Sequence, residues 1–239
     1  MLVTTNAIVL SSIKYGEADL IIKCFTENYG VKSYLLKGIL KTKKGALKPA
    51  LFQLFSILEI TASHRQNSEL HFIKEAKIAV PLQEIQNNIV KLSLVLFLSE
   101  VVRQSIREEE ENSSLYRFLE QTVLWLENNN SVADFHLVFM VQLTHFLGFF
   151  PDISTIEKPV FNPVEGIFED VATNNYAIVL ESKSAFKKLL ITDFETLSVL
   201  EISKKQREQY LQMLLLYYQL HIQGFKTPKS LSVLTSIFH

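Results

Sequence analysis

The run AIVLSSIKYGEADLIIKCFTENYGVKSYLLKG, residues 7–38, breaks into three apolar pieces parted by turn residues. AIVLSSI (7–13) and DLIIKCFT (19–26) are rich in β-branched and aromatic residues, with KYGEA between them. ENYG (27–30) ends in a glycine that can take positive φ, and VKSYLLKG (31–38) follows as a third strand. Working outward, PALFQLFSILEITA (49–62) carries Leu51, Phe52, Leu54, Phe55, Ile57, Leu58 and Ile60, as expected of a long, bent strand. After the turn SHRQNS (63–68), ELHFIKEAKIA (69–79) supplies a fifth. Five antiparallel strands without an intervening helix predict a small closed barrel, with the OB-fold as the leading candidate.

Pro81 marks a change of period. LQEIQNNIVKLSLVLFLSEVVRQSI (82–106) places apolar residues three and four apart, the spacing of a helix with one buried stripe. EEEENSS (108–114) interrupts it, and Ser113 or Ser114 is expected to cap the helix that follows, LYRFLEQTVLWLENN. SVADFHLVFMVQLTHFLGF (131–149), apolar on most sides, is expected to be central; KKQREQYLQMLLLYYQLHIQGF (204–225) and PKSLSVLTSIF (228–238) complete the set. Residues 150–182 hold Pro151, Pro159, Pro163, Gly166 and two strand-like pieces, GIFEDV and YAIVLE. The expected class is therefore α+β: an OB-fold barrel over 1–80, then a helical domain over 81–239 with an irregular hairpin insertion at about 150–182.

At 239 residues and 48% hydrophobic, the chain can bury a core without covalent staples. Its single cysteine, Cys24, excludes an internal disulfide and any multi-cysteine metal site. The apolar runs are too short to span a bilayer and the N-terminus lacks an export signal, so a cytoplasmic protein is expected. The net charge of −1 conceals an asymmetry. Residues 1–80 carry 11 Lys+Arg against 6 Asp+Glu, net +5; the remainder carries 13 against 19, net −6. Such a division points to a polyanion-binding module joined to something with another task.

The cations concentrate in LLKGILKTKKGALKP (35–49), with Lys37, Lys41, Lys43, Lys44 and Lys48, and Lys32 just before. No Asp or Glu occurs from Asn28 to Leu58, whereas ordinary surfaces mix both signs. A solvated loop is the bland alternative. A cationic groove of a barrel that holds single-stranded nucleic acid is the sharper one, with Arg65 in the same half of the chain. Tyr15, Tyr29, Tyr34 and Phe52 stand near enough to stack on bases, although Tyr34 and Phe52 fit a core equally well. Lysines contact backbone phosphates rather than reading bases, so binding should tolerate sequence and fall steeply with salt. Replacing Lys41, Lys43 and Lys44 with alanine should weaken it.

Catalytic chemistry is hard to find. There is no P-loop, no GxSxG elbow and no HExxH, and the four glutamates at 108–111 read as a solvated loop rather than a metal site. The chain reads as a binding protein, not an enzyme, with no cofactor. An RNA-binding OB module with a helical interaction domain is the alternative, and a transferase or hydrolase too divergent to recognise is a third.

The ordered series Tyr15-Gly16-Glu17, Phe25-Thr26-Glu27, Gly30, Lys37-Gly38 to Lys44, then the Leu/Pro/Phe-rich Leu47 to Phe55, resembles the N-terminal region of the RecO family of bacterial recombination mediators. FKTPKSLSVL (225–234) is similar to that family's closing segment. The resemblance implies a barrel followed by helices, and a nucleoid-associated protein that binds single- and double-stranded DNA and anneals complementary strands. It also implies a RecR partner, with which recombinase is loaded onto DNA coated by single-strand-binding protein. The acidic tail of that coat protein would need an apolar pocket rimmed by cations, for which Arg103, Arg107 and Arg117, or Lys204, Lys205 and Arg207, are candidates. Many family members carry four zinc-binding cysteines where this chain has PDISTIEKPVFNPVEGIFEDVA; none is present, so no zinc is expected, and Ile153, Phe161, Ile167 and Phe168 should pack there instead.

Overall fold

Five strands close on themselves in the computed structural model, which describes all residues except 42–46, 66–67, 107–109, 180–182 and 239, and the side chain of Lys183. They are β1 (Leu2–Tyr15), β2 (Asp19–Thr26), β3 (Gly30–Leu36), β4 (Ile57–Ser63) and β5 (Leu70–Val80), joined in the order β1-β2-β3-β5-β4. Neighbours are antiparallel except β3 and β5, which run parallel through only Ser33↔Leu70 and Tyr34↔His71. This is the expected five-stranded OB-type barrel. Alternation fills its interior with Val3, Ala7, Val9, Ile22, Cys24, Tyr34, Leu36, Leu58, Ile60 and Ile73. Burial pushes the Cys24 thiol up to about 12, so it behaves as a small apolar side chain.

The long strand expected over 49–62 is two pieces. Pro49–Phe52 forms a 3-10 turn, which suits a proline that has no N–H to donate, and β4 begins only at Ile57. Between them Phe55, fully buried, adopts φ 61, and its N–H donates to Val9 O at 2.8 Å beside the bulge between Val9 and Ser11.

Compact packing divides the chain into Met1–Asn128 and Asn129–His239. The first unit therefore includes three helices beside the barrel: α1 (Gln83–Asn87), α2 (Ile89–Ser105) and α3 (Ser113–Asn128). The single helix expected at 82–106 is broken at Asn88, whose side-chain oxygen accepts from Val90 and Lys91 N–H and so starts α2 afresh. Asn112, not Ser113 or Ser114, caps α3, accepting from Leu115 N at 3.1 Å. Ile8 of β1 and its register partner Phe25 point away from the barrel interior and are buried; Phe25 meets Tyr116 of α3 at 6.2 Å between ring centroids.

Glu127, near the end of α3, ties this unit together. Its carboxylate accepts from the N–H groups of Gln83, Glu84 and Ile85 at 2.7, 2.8 and 2.9 Å, and its carbonyl accepts from the buried Lys91 Nζ at 2.8 Å. A carboxylate at a helix N-terminus meets three donors that have no partner within the helix. Glu127→Ala should cost roughly 1–2 kcal/mol, read by urea denaturation. An unchanged midpoint would mean water serves these donors equally well.

The second unit is built around α4 (Phe135–Leu147), ended by Gly148 at φ 80. Tyr218 Oη of α6 (Lys204–His221) donates to Met140 O at 2.7 Å, and Arg207 Nε meets Asp134 at 2.6 Å. Ser203 and Gln206 form a capping box at the start of α6, and α7 (Leu231–Phe238) is shorter than expected. The insertion is a three-stranded sheet, β7-β6-β8, of β6 (Val160–Asn162), β7 (Ile167–Glu169) and β8 (Ile178–Val179). Helix α5 (Lys183–Ile191), which the sequence pattern does not announce, buries Ala185, Phe186, Leu189 and Leu190.

Within the stretch PDISTIEKPVFNPVEGIFEDVA, Phe161 and Phe168 are buried and meet Phe186 at 5.5 and 6.1 Å. Ile167 is half-buried, and Ile153 is exposed rather than packed, being lifted away on a 3-10 turn. These aromatic and carboxylate residues do not fit a four-thiolate zinc site. Among the described residues no helix is long and apolar enough to cross a membrane.

Candidate nucleic-acid interface

Alternation assigns each strand an inner and an outer set of residues, and the outer set of β1–β3 falls into two parts. The row Ile8–Phe25–Val31 is buried. Further along, Ser11–Lys23–Ser33 and then Ile13–Ile21–Leu35 form successive outer rows, and Ile13 is exposed. Phe72 follows the paired His71 on β5 as Leu35 follows Tyr34 on β3, so alternation puts both on the outer side of their strands.

Lys37, just past the end of β3, is exposed, and its Nζ lies 5.5 Å from the centroid of the Phe72 ring. The Arg65 guanidinium carbon lies 4.5 Å from the same centroid. Local structure explains both positions. Gly38, at φ 67, turns the chain directly after Lys37, and its N–H donates to Asp19 Oδ1 at 2.7 Å. Leu40 N–H donates to Ala18 O at 2.9 Å, so the root of the lysine run is fastened to the β1–β2 turn. Arg65 is anchored through its own N–H, which donates to His71 Nδ1 at 3.2 Å.

Behind these cations lies a ring cluster. His64 stands 4.6 Å from His71 and 5.0 Å from Tyr29 between ring centroids, and its Nε2 is 3.0 Å from Tyr34 Oη. The Met1 ammonium donates to His64 O at 2.7 Å, and Met1, Ser63, His64 and Arg65 line a cleft there. Burial, then the neighbouring His71, Lys32 and N-terminal ammonium, push the His64 imidazole down to about 4. At neutral pH it is uncharged, and the positive field at this end comes from Lys32, Lys37, Arg65 and the N-terminus.

Several expectations need correction. Tyr34 is fully buried and held by His64, so it belongs to the barrel core and offers no face to a base; Phe52 is core as well. Closure of the barrel, invisible in a local run, is what encloses them. Lys41 is not free of acid: Glu17, from the turn before β2, meets it at 2.8 Å, with both side chains largely exposed. Lys48 is exposed and Lys32 half-buried, while Lys43 and Lys44 lie outside the described residues. Of the partner-facing candidates, Arg117 is exposed and Arg103 half-buried, and Arg107 lies outside the described residues. Arg207 is committed to Asp134, with only 12% of each side chain exposed. Phe72 is not evident from sequence because the unbroken run HFI hides which of its residues faces out. Among the described residues no group of three or more His, Cys, Asp or Glu is placed to hold a metal ion.

Comparison with known proteins covers nearly the whole chain. The family model described as Recombination protein O N terminal matches residues 1–81, and that described as Recombination protein O C terminal matches residues 86–231. A DNA repair protein RecO of Christiangramia forsetii is 44% identical over the full length of both chains. Proteins of the same description from Flavobacterium johnsoniae and Bacteroides fragilis are 42% and 33% identical, again over the full length of each chain.

Proposed function

The chain belongs to the RecO family of DNA repair proteins, and on that premise we propose that it is a non-catalytic recombination mediator whose barrel face holds DNA by its phosphates. The observation that carries this is the convergence of Lys37 and Arg65 on Phe72, with Lys32 and the N-terminal ammonium behind. Lys41 and Lys48 extend the cationic edge, Lys41 by exchanging Glu17 for a phosphate; Lys43 and Lys44 join on sequence alone. Single and double strands both present phosphates, so both bind, with little regard to base order.

Annealing follows from the same charge. Two strands repel until cations lie between them, and a face that displaces condensed counterions brings them together. In this reading residues 1–80 hold DNA, and residues 81–239, with Arg103, Arg107 and Arg117, meet RecR and the acidic tail of single-strand-binding protein so that recombinase can be loaded. The protein works in the cytoplasm, at the nucleoid.

The test is annealing of complementary strands coated with single-strand-binding protein, with and without RecR. The chain should accelerate it, and rising salt should abolish the acceleration. No acceleration at any salt concentration would contradict the mediator role, and equal competition by RNA and DNA strands would favour an RNA-binding module instead.

A further inference from the structure

Resting on the assignment of the barrel face to nucleic acid, we infer that Phe72 is a base-stacking platform that distinguishes unpaired strands from duplex. His71 and Ile73, its neighbours in β5, are buried in the barrel, whereas Phe72 is only half-buried and belongs to the outer surface. The Arg65 guanidinium carbon and Lys37 Nζ stand 4.5 and 5.5 Å from its ring centroid. On the outer side of β1–β3 the apolar residues pair as Ile13↔Ile21 and Ile21↔Leu35, of which Ile13 is 54% exposed and Leu35 is buried. Nucleic acid with free bases matches this arrangement at both of its chemical ends: a flat π-face for the ring, and a phosphate within reach of the cations.

An exposed cation–π contact is weak and reversible. When an unpaired base covers the ring, the cation it displaces moves to the phosphate of the same or the next nucleotide. A duplex keeps its bases stacked on one another and offers only phosphates, so it uses Lys37 and Arg65 but not Phe72. Phosphate affinity and single-strand preference thus reside in different side chains of one cluster.

The test compares three probes of equal length on the full chain by fluorescence anisotropy: a thymidine oligonucleotide, the same phosphodiester backbone without bases, and a duplex. Phe72→Leu keeps an apolar side chain under the cations and removes the π-face. It should weaken binding of the thymidine strand about 5- to 150-fold, the range for one stacked base, and change the other two less than about twofold. Phe72→Trp should hold or strengthen thymidine-strand binding, and circular dichroism checks that both variants keep the barrel. Equal losses on all three probes would show that Phe72 merely props Arg65 and Lys37, and no loss on the thymidine strand would also overturn the platform. Wild-type chain that binds none of the three would refute the nucleic-acid assignment itself, a result separate from either.

Discussion

Lys37→Ala combined with Arg65→Ala is expected to lower single-strand affinity about 25-fold at about 0.1 M monovalent salt, because each phosphate left without its cation weakens binding about fivefold at that concentration. The slope of log affinity against log salt should flatten by roughly 1.4, that is, about 0.7 for each of two phosphates on a single strand. Both side chains are exposed, so the barrel should stay folded. The loss should be much the same for thymidine, mixed-sequence and abasic strands, since the missing partners are phosphates. Isothermal titration or anisotropy over a salt series measures it. An unchanged slope would mean that neither cation touches the backbone.

Gly166→Ala should be among the most damaging single changes in the second unit. Gly166 sits at φ 69, and a Cβ there would lie 2.6 Å from Tyr217 Oη. The tyrosine cannot swing aside freely. Its hydroxyl donates to Phe149 O, and its ring is buried against Phe149, Phe161 and His221 at 5.5, 5.6 and 4.4 Å. The left-handed backbone alone costs an alanine about 1–2 kcal/mol, and displacement of Tyr217 brings the total to roughly 3 kcal/mol. Urea denaturation measures the loss. Adding Tyr217→Phe removes the obstructing oxygen, so the double variant should lose less than the two single changes summed. Strict additivity would mean that the two residues do not interfere.

Much of the barrel was legible because a strand's period of two survives in sequence: Ile22, Cys24, Leu58 and Ile60 fall on one parity and fill the interior. Legibility failed where a local pattern is ambiguous or a distant partner decides. Pro49 and the φ 61 of Phe55 interrupt a run of apolar residues that otherwise looks continuous. In KKLL the apolar positions of α5 are few, and β6 is three residues flanked by Pro159 and Pro163, too short to show a period. Asn88 divides the first long helix because its side chain competes for backbone donors, an effect that hydrophobic spacing does not register.

The candidate site was half legible for the same reasons. Composition and the missing acids point to the cations, Lys37 and Arg65 among them. Composition says nothing of Phe72, which meets them only because β3 and β5 pair in parallel across more than thirty residues of chain. Nor does it show that Glu17 returns from the preceding turn to Lys41, because charge counted along the chain ignores what a hairpin brings back. In sequence Tyr34 fits a base-stacking surface and a core equally well, and only barrel closure places it inside.

Lysine acetylation footprinting by mass spectrometry, with and without a saturating single-stranded oligonucleotide, tests the barrel-face assignment most directly. Lys37 and Lys48 should lose reactivity when the strand is bound, while Lys188 and Lys204 of the second unit, both exposed, stay as reactive as in the free protein. Protection of Lys188 and Lys204 with Lys37 and Lys48 still fully reactive would place the nucleic acid elsewhere and contradict the account.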